Sequence, residues 1–259
     1  MSRQRRTVPR GLRRGITLRM LVPNAVTAMA LCFGLTGVRY GISGEWERAV
    51  LSILFAGVLD GLDGRIARLL RGDSRFGAEL DSLSDSIAFG VAPALIIYLW
   101  SLHAMPKFGW IFALAHALSC ALRLARFNAN IDADEQPHKS AGFLTGVPAP
   151  AGAGLAFVPL YLWLVTGEDI FRAWYVVAPW IAFTAFLMIS NIATYSWSAL
   201  RLRRHIRLEA IAVAGLLAAL LVTDPWLALS ILCAFYLALI PFGIMSYAKV
   251  KRQRAAAAS

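Results

Sequence analysis

The most constraining feature of this sequence is a series of long apolar blocks, several of them near 20 residues, separated by short polar segments. A helix of about 20 apolar residues is what crosses the roughly 30 Å of hydrocarbon in a bilayer. Charged residues make up 16% of the chain, against about 25% in a typical soluble domain. The pattern therefore predicts an all-α, polytopic helical membrane protein and disfavours a soluble helical one.

The apolar blocks define a predicted transmembrane domain over residues 20–248. A basic juxtamembrane arm precedes it at 1–19, and a basic tail follows it at 249–259. Eight spans are predicted inside the domain, at about 20–40, 49–70, 78–100, 108–127, 146–166, 174–197, 208–222 and 227–248.

The basic residues alternate between the two sides of these spans. With a cytoplasmic N-terminus, all but four of the 26 lysines and arginines fall on the cytoplasmic side; the exceptions are Arg39, Arg48, Lys107 and Arg172. This positive-inside bias predicts that both termini are cytoplasmic. The net charge of +11 then forms a collar that faces anionic membrane lipid. We expect no nucleic-acid partner, because no soluble domain is predicted to present such a surface.

Four aspartates interrupt the apolar pattern at the inner ends of the second and third spans: Asp60, Asp63, Asp81 and Asp85. Carboxylates at membrane depth are costly and mark function by default. Residues three or four apart share a helix face, so antiparallel spans can place the two pairs opposite each other. Ionised carboxylates this close need cations, and their oxygens suit Mg²⁺, Mn²⁺ or Ca²⁺. Two metal ions bridged by carboxylates are a known device of phosphoryl transfer.

The segment from Asp60 to Asp85 resembles the signature of the CDP-alcohol phosphotransferase family, D-x2-D-G-x2-A-R-x8-G-x3-D-x3-D. Every fixed position is matched, and the matching residues are Asp60, Asp63, Gly64, Ala67, Arg68, Gly77, Asp81 and Asp85. The motif spans about a tenth of the chain. Pro23, Asn24 and Thr27 resemble a further element that is common across the family.

The resemblance implies roles for these residues. Asp60, Asp63 and Asp81 would be metal ligands, with two Mg²⁺ or Mn²⁺ ions as cofactors. Asp85 would lie at the metals and act as the general base. The nucleotide pocket would be lined by Gly64, Ala67, Arg68, Asn24 and Thr27. The resemblance also implies a homodimer in the cell inner membrane.

Three downstream stretches resemble the phosphatidylserine synthases of that family: Leu122–Asn128, Phe143–Ala151 and, more loosely, Met188–Asn191. They imply CDP-diacylglycerol and L-serine as substrates, with phosphatidylserine and CMP as products. Serine carries a carboxylate, so a cation is expected beside the site. Arg123, Arg126 and Lys139 lie on the correct side and are candidates for the serine carboxylate or a substrate phosphate. Each also fits a simple positive-inside anchor.

Two alternatives remain open. The same chemistry could use another acceptor, such as glycerol 3-phosphate, inositol phosphate or choline, since the aspartate motif does not choose among them. A membrane transporter with intramembrane aspartates is the other, although transporters usually place such sites near the midplane within repeated halves. His116, His138 and His205 belong to no metal-spaced cluster and are not expected to be ligands.

Overall fold

The computed structural model describes residues 18–70, 72, 74–129, 143–195 and 207–258. Within these ranges almost every residue is helical. The α-helices are α1 (Leu18–Ile42), α2 (Trp46–Leu70), α3 (Arg75–Asp85), α4 (Ala92–Trp100), α5 (Gly109–Ala129), α6 (Ala149–Ala156), α7 (Val158–Thr166), α8 (Trp174–Ile189), α9 (Arg207–Thr223) and α10 (Pro225–Ala258). A π-helix, Ser86–Val91, joins α3 to α4, and two 3₁₀ turns lie at Leu102–Ala104 and Asp169–Arg172.

The prediction of a polytopic helical membrane protein is confirmed. Five helical stretches of the described chain are long and apolar enough to cross a membrane: Leu21–Ile42, Arg75–Trp100, Gly109–Ala129, Ala149–Thr166 and Pro225–Ala248. Helices α8 and α9 supply shorter apolar stretches, Trp174–Ile189 and Ile211–Thr223. Helix α2 is long enough but contains the first pair of aspartates. The count of eight spans therefore stays a prediction, as does the division into arm, membrane domain and tail.

Helix α1 packs closely against its neighbours through a stripe of small residues. A Cβ atom on Gly34 would lie 2.9 Å from the Cα atom of Ala88, and one on Gly37 would lie 3.0 Å from the carbonyl oxygen of Ala49. Small residues let membrane helices approach closely, which replaces the missing hydrophobic drive between helices in lipid. The stripe therefore seats α1 against α2 and against the π-helix, the two elements that adjoin the aspartates.

Two predicted spans are interrupted in the structure, and a proline lies at each break. The predicted span 78–100 is divided by the π-helix, with Pro93 at the start of α4. The predicted span 146–166 is divided at Phe157, with Pro159 at the start of α7. Proline has no N–H group, so it removes the hydrogen bond to the carbonyl four residues earlier.

A short β-ribbon lies beside the start of α6 and the end of α8, and its second strand occupies the last part of the predicted sixth span. Strand β1 (Phe143–Thr145) pairs antiparallel with β2 (Ala193–Tyr195). The predicted sixth span, 174–197, ends earlier, because α8 stops at Ile189. Gly146 follows β1 with a φ of +71°, a left-handed conformation that glycine adopts without steric cost. The ribbon brings the start of α6 and the end of α8 to one place.

Candidate functional site

The four aspartates come together in the half of the α2–α3 hairpin that adjoins its turn. One carboxylate oxygen from each of Asp60, Asp63 and Asp81 lies within 4.8 Å of the other two. The carboxyl group of Asp85 contacts that of Asp60. Asp63 is buried and the other three are half-buried. The two pairs of aspartates lie opposite each other, as predicted, because the members of each pair share one face of their helix.

This arrangement fits a divalent metal. Hard cations take carboxylate oxygens as ligands, and three such oxygens converge here. Several ionised carboxylates brought together away from water are costly unless an opposite charge is present. Asp60, Asp63 and Asp81 are the residues that would hold the metal, with Asp85 beside them.

Helix α1 orients the buried aspartate. The Thr27 hydroxyl donates a hydrogen bond to Oδ2 of Asp63 at 2.7 Å, and it also lies 3.2 Å from the carbonyl oxygen of Pro23. The Ser84 hydroxyl in turn donates to the Thr27 carbonyl oxygen at 3.1 Å. Such outer contacts fix how a carboxylate presents its oxygens to a metal. Thr27 was predicted in the nucleotide pocket; it lines the cleft described below, and its hydroxyl is used to position the Asp63 carboxylate.

A cleft of about 220 Å³ opens beside the carboxylates. Its lining comes from α1, α2, the α2–α3 turn and α3, and consists of Pro23, Asn24, Thr27, Asp63, Gly64, Ala67, Gly72, Ser74, Gly77, Ala78 and Asp81. Four of the five predicted nucleotide residues therefore line one cleft. Arg68 is exposed and does not, because its Nε atom donates to the Gly64 carbonyl oxygen at 3.0 Å.

Two motif glycines serve different purposes around this cleft. A Cβ atom on Gly77 would lie 2.8 Å from Oδ1 of Asn24 and 3.1 Å from the Ser74 hydroxyl. Glycine at position 77 therefore leaves the Asn24 amide room to lie where a side chain would displace it. A Cβ atom on Gly64 would meet nothing within 4 Å, so the missing side chain leaves the cleft open for a ligand.

The inner end of α5 forms the other wall of the site. Arg123 is half-buried, and its charge interacts with that of Asp85. The Nε atom of Arg123 is buried and has no hydrogen-bond partner among the described residues. A buried guanidinium N–H without an acceptor is costly and suits an anionic ligand. Lys139, the third candidate cation, lies outside the described residues.

Arg126 has a different environment. One of its guanidinium nitrogens donates to the Ile189 carbonyl oxygen and to Oδ1 of Asn191, both at 2.9 Å, and the other donates to the Ser190 carbonyl oxygen at 3.3 Å. The backbone carbonyls of Ile189 and Ser190 lie at the end of α8, where they have no partner within the helix. Arg126 is therefore a helix cap in this structure, and its predicted contact with substrate stays a prediction.

The three downstream stretches converge on this wall. The first stretch, Leu122–Asn128, contacts the third, Met188–Asn191, through the hydrogen bonds of Arg126. The second stretch meets the last turn of α8 and the segment after it, because the N–H groups of Gly146 and Val147 donate to the carbonyls of Ile192 and Leu187 at 2.8 and 3.2 Å. The first also meets α3, since Asn128 Nδ2 donates to the Ser82 hydroxyl at 2.8 Å. Segments far apart in sequence thus build one subsite next to Asp85.

Several residues of this wall were not identified from the sequence. Ser84 and Asn128 lie inside stretches that were identified, and their spacing from Asp81 and Arg123 is the signal that could have revealed them. No sequence signal indicates Thr194 or Tyr236. The Thr194 hydroxyl donates to the Gly146 carbonyl oxygen at 2.9 Å, and the Tyr236 phenol of α10 interacts with Thr194 and with Arg123. A tyrosine within an apolar span looks like any other core residue.

Comparison with known proteins agrees with this site. A family model described as CDP-alcohol phosphatidyltransferase matches residues 20–194, and one described as CDP-alcohol phosphatidyltransferase 2 matches residues 205–241. The chain belongs to the CDP-alcohol phosphatidyltransferase family.

Among its relatives, a protein of Mycobacterium tuberculosis (strain ATCC 25618 / H37Rv) is 38% identical over 238 residues, which is 92% of this chain and 82% of the relative. A protein of Mycobacterium leprae (strain TN) is 37% identical over 90% of this chain and 77% of its own length. One from Helicobacter pylori (strain ATCC 700392 / 26695) is 37% identical over 55% of this chain and 58% of its own length. All three are named CDP-diacylglycerol–serine O-phosphatidyltransferase.

Proposed function

We propose that this protein transfers the phosphatidyl group of CDP-diacylglycerol to the hydroxyl of L-serine, giving phosphatidylserine and CMP. The observation that carries the proposal is the position of Arg123. Its buried Nε atom has no acceptor among the described residues, and its charge interacts with Asp85, which belongs to the aspartate cluster. A metal centre for a diphosphate and a cation for a carboxylate therefore lie side by side. The names of the relatives support the same substrates.

Asp60, Asp63 and Asp81 would hold the metal, with two Mg²⁺ or Mn²⁺ ions as the proposed content. Metal bound there neutralises charge on the diphosphate and on the departing phosphate. The nucleotide would lie in the cleft lined by Asn24, Gly64 and Ala67. Thr27 contributes by holding Asp63.

Asp85 is the proposed general base. Its carboxylate takes the proton from the serine hydroxyl, and the serine oxygen attacks the β-phosphorus of CDP-diacylglycerol. The bond between that phosphorus and the oxygen it shares with the α-phosphate breaks, and the electron pair leaves on CMP. Arg123 binds the serine carboxylate and so holds the hydroxyl in place. Orientation of this kind lowers the barrier because the reacting groups no longer have to find each other.

An acceptor panel tests the proposal. Purified protein would be incubated with CDP-diacylglycerol, Mn²⁺ or Mg²⁺, and one of L-serine, glycerol 3-phosphate, inositol phosphate or choline, with CMP and the lipid product both measured. We expect CMP and an equimolar amount of lipid product, phosphatidylserine, only when serine is the acceptor. A larger yield of CMP and of the corresponding lipid with another acceptor would identify that compound, and not serine, as the acceptor. CMP release that persists after chelation of the metal would reject the metal mechanism.

The transporter alternative has no observation in its favour. The aspartates lie in the half of the α2–α3 hairpin that adjoins its turn, beside Arg123 near the end of α5. Metal-dependent release of CMP that is lost in Asp85→Asn would make transport unnecessary as the primary role.

We also propose that the protein is a homodimer in the inner membrane of the cell. The end that carries the aspartates and both termini would face the cytoplasm, and the basic collar would contact anionic lipid. Ser43, in the α1–α2 turn, and Arg75, at the start of α3, are exposed at opposite ends. In intact cells, a membrane-impermeant maleimide should label Ser43→Cys and leave Arg75→Cys unlabelled. The reverse labelling would invert the topology.

A further inference from the structure

The π-helix begins at the residue that follows the proposed base. It runs over Ser86–Val91, between α3, which carries Asp81 and Asp85, and α4, which belongs to the core. The α4 residues Ala92, Ile96 and Trp100 are fully buried, so the orientation of α4 is set by packing. π-Helical turns are rare and are frequently found at functional sites.

The π-helix sets the direction in which the aspartates point. Each residue of an α-helix turns the chain by about 100°, and a π-turn accommodates one extra residue. If this segment became regular α-helix while α4 stayed in the core, α3 would rotate by roughly 100°. Asp81 and Asp85 would then turn away from Asp60 and Asp63.

A histidine on α5 supplies a hydrogen bond to this segment. In an α-helix the Phe89 carbonyl would accept from the N–H of residue 93, but Pro93 has none. The Nε2 atom of His116 lies 3.3 Å from the Phe89 carbonyl oxygen, which makes Nε2–H the donor. The side chain of His116 is completely buried, and its Nδ1 atom has no partner among the described residues.

The same device occurs once more, away from the aspartates. Pro159 removes the helical donor from the Leu155 carbonyl, and the indole Nε1 of Trp180 donates to that oxygen at 2.7 Å. There the break joins two ordinary α-helices, α6 and α7. The two ring-to-carbonyl bonds therefore differ mainly in what they adjoin, which makes Trp180 a matched control for His116.

One face of α5 follows the π-helix into the site. A Cβ atom on Gly90 would lie 3.0 Å from Cβ of Cys120, one turn after His116. The next turn carries Arg123, whose charge interacts with Asp85. His116 and Cys120 thus lie against Phe89 and Gly90, and the charge of Arg123 interacts with that of Asp85. A substitution at His116 would therefore affect the position of Asp85 through the backbone of the π-helix, which α5 contacts.

We propose that His116 is a positioning residue for the transfer reaction, which holds the π-helix through the Phe89 carbonyl and so keeps Asp81 and Asp85 facing Asp60. The inference rests on the proposed role of Asp85 as base. It assigns no contact between His116 and substrate or metal.

A pair of amide variants tests this inference. His116→Gln keeps a nitrogen donor at the reach of Nε2, whereas the shorter His116→Asn does not. We expect His116→Asn to lower kcat for CMP release by on the order of 10- to 100-fold, as for a displaced catalytic group, with KM for both substrates nearly unchanged. His116→Gln should recover most of kcat. Trp180→Phe, which removes the matching bond elsewhere, should lower the thermal unfolding midpoint and leave kcat unchanged.

Equal kcat values for the Gln and Asn variants would overturn the inference, as would a loss of kcat in Trp180→Phe comparable to that in His116→Asn. Pro93→Ala is an independent variant should the polar ones fold poorly. It restores an N–H at position 93 and favours regular helix, so we expect a lower kcat from a folded protein, and a wild-type kcat would also overturn the inference. Asp85→Asn separates the two proposals: if it stays active, the base assignment fails, whatever the His116 variants show.

Discussion

The two ends of this helix bundle are built on opposite principles. The end with the aspartates gathers like charges and keeps open space beside Gly64, and within the described part of the chain the Arg123 Nε atom has no acceptor there. At the other end, Arg172 donates to the Trp100 carbonyl oxygen at 3.0 Å, lies over the Trp163 ring at 5.7 Å and accepts from the Ser101 hydroxyl at 2.6 Å through its own carbonyl. The Arg172 guanidinium and the Ser101 hydroxyl are thus both paired within the protein.

The difference shows where stability has been given up for chemistry. Like charges and unpaired donors away from water destabilise a fold, so an end that contains them needs a ligand to complete it. Tryptophans concentrate at the opposite end, at the starts of α2, α5, α8 and α10 and the end of α4, as in the aromatic belt of a membrane interface. Variants at the two ends should accordingly separate activity from stability.

The largest effect is expected at Asp85. Asp85→Asn removes the proposed base and one of several repelling charges, so activity should fall by about 10²- to 10⁴-fold while the metal-free protein becomes no less stable. CMP release and the thermal unfolding midpoint in detergent measure the two quantities. Asp224→Ala is the control, because Asp224 caps α10 by accepting from the Leu227 N–H at 3.1 Å, and loss of an N-cap oxygen costs about 0.5–2 kcal/mol. That variant should lose stability and keep kcat. The reverse pattern would refute the division between the ends.

The next effect concerns the two arginines of the inner wall. Arg123→Ala should raise KM for serine by about 10- to 100-fold, the value of one hydrogen-bonded charge, with KM for CDP-diacylglycerol changed much less. Arg126→Ala should instead lower the unfolding midpoint, because it uncaps α8 at Ile189. Initial-rate measurements with each substrate varied distinguish them. An unchanged KM for serine in both variants would remove arginine from the proposed serine subsite.

How far the sequence predicts this molecule depends on whether a feature is local. The aspartate cluster was predictable because helical spacing puts Asp60 with Asp63 and Asp81 with Asp85, and a short turn faces the pairs. The early end of α8 was not, because Arg126 caps it from 63 residues away in the sequence. The π-helix was not either, because the donor to Phe89 comes from His116 on another helix. Tyr236 reaches the site only through the packing of α10.

A moderate effect on stability is expected from the outer end. Arg172→Ala removes a hydrogen bond and a cation–π contact, together worth about 1–3 kcal/mol of unfolding free energy, while kcat and both KM values should stay as in the wild type. Unfolding midpoints and CMP release well below the midpoint check this. Arg39→Ala, an exposed arginine at the same end, is the control for charge alone and should change neither quantity. A fall in kcat for Arg172→Ala would show that the outer end takes part in catalysis.

The smallest effect sharpens the comparison within a single helix turn. Gly61 and Gly64 both have open space where a Cβ atom would lie, but only Gly64 lines the cleft. Either change to alanine should add about 0.5–1 kcal/mol of helix stability. Gly64→Ala should also raise KM for CDP-diacylglycerol severalfold, because its methyl group enters the proposed nucleotide pocket, whereas Gly61→Ala should not. Identical KM values would mean that the nucleotide lies elsewhere, and that the glycine at position 64 serves the helix and not the ligand.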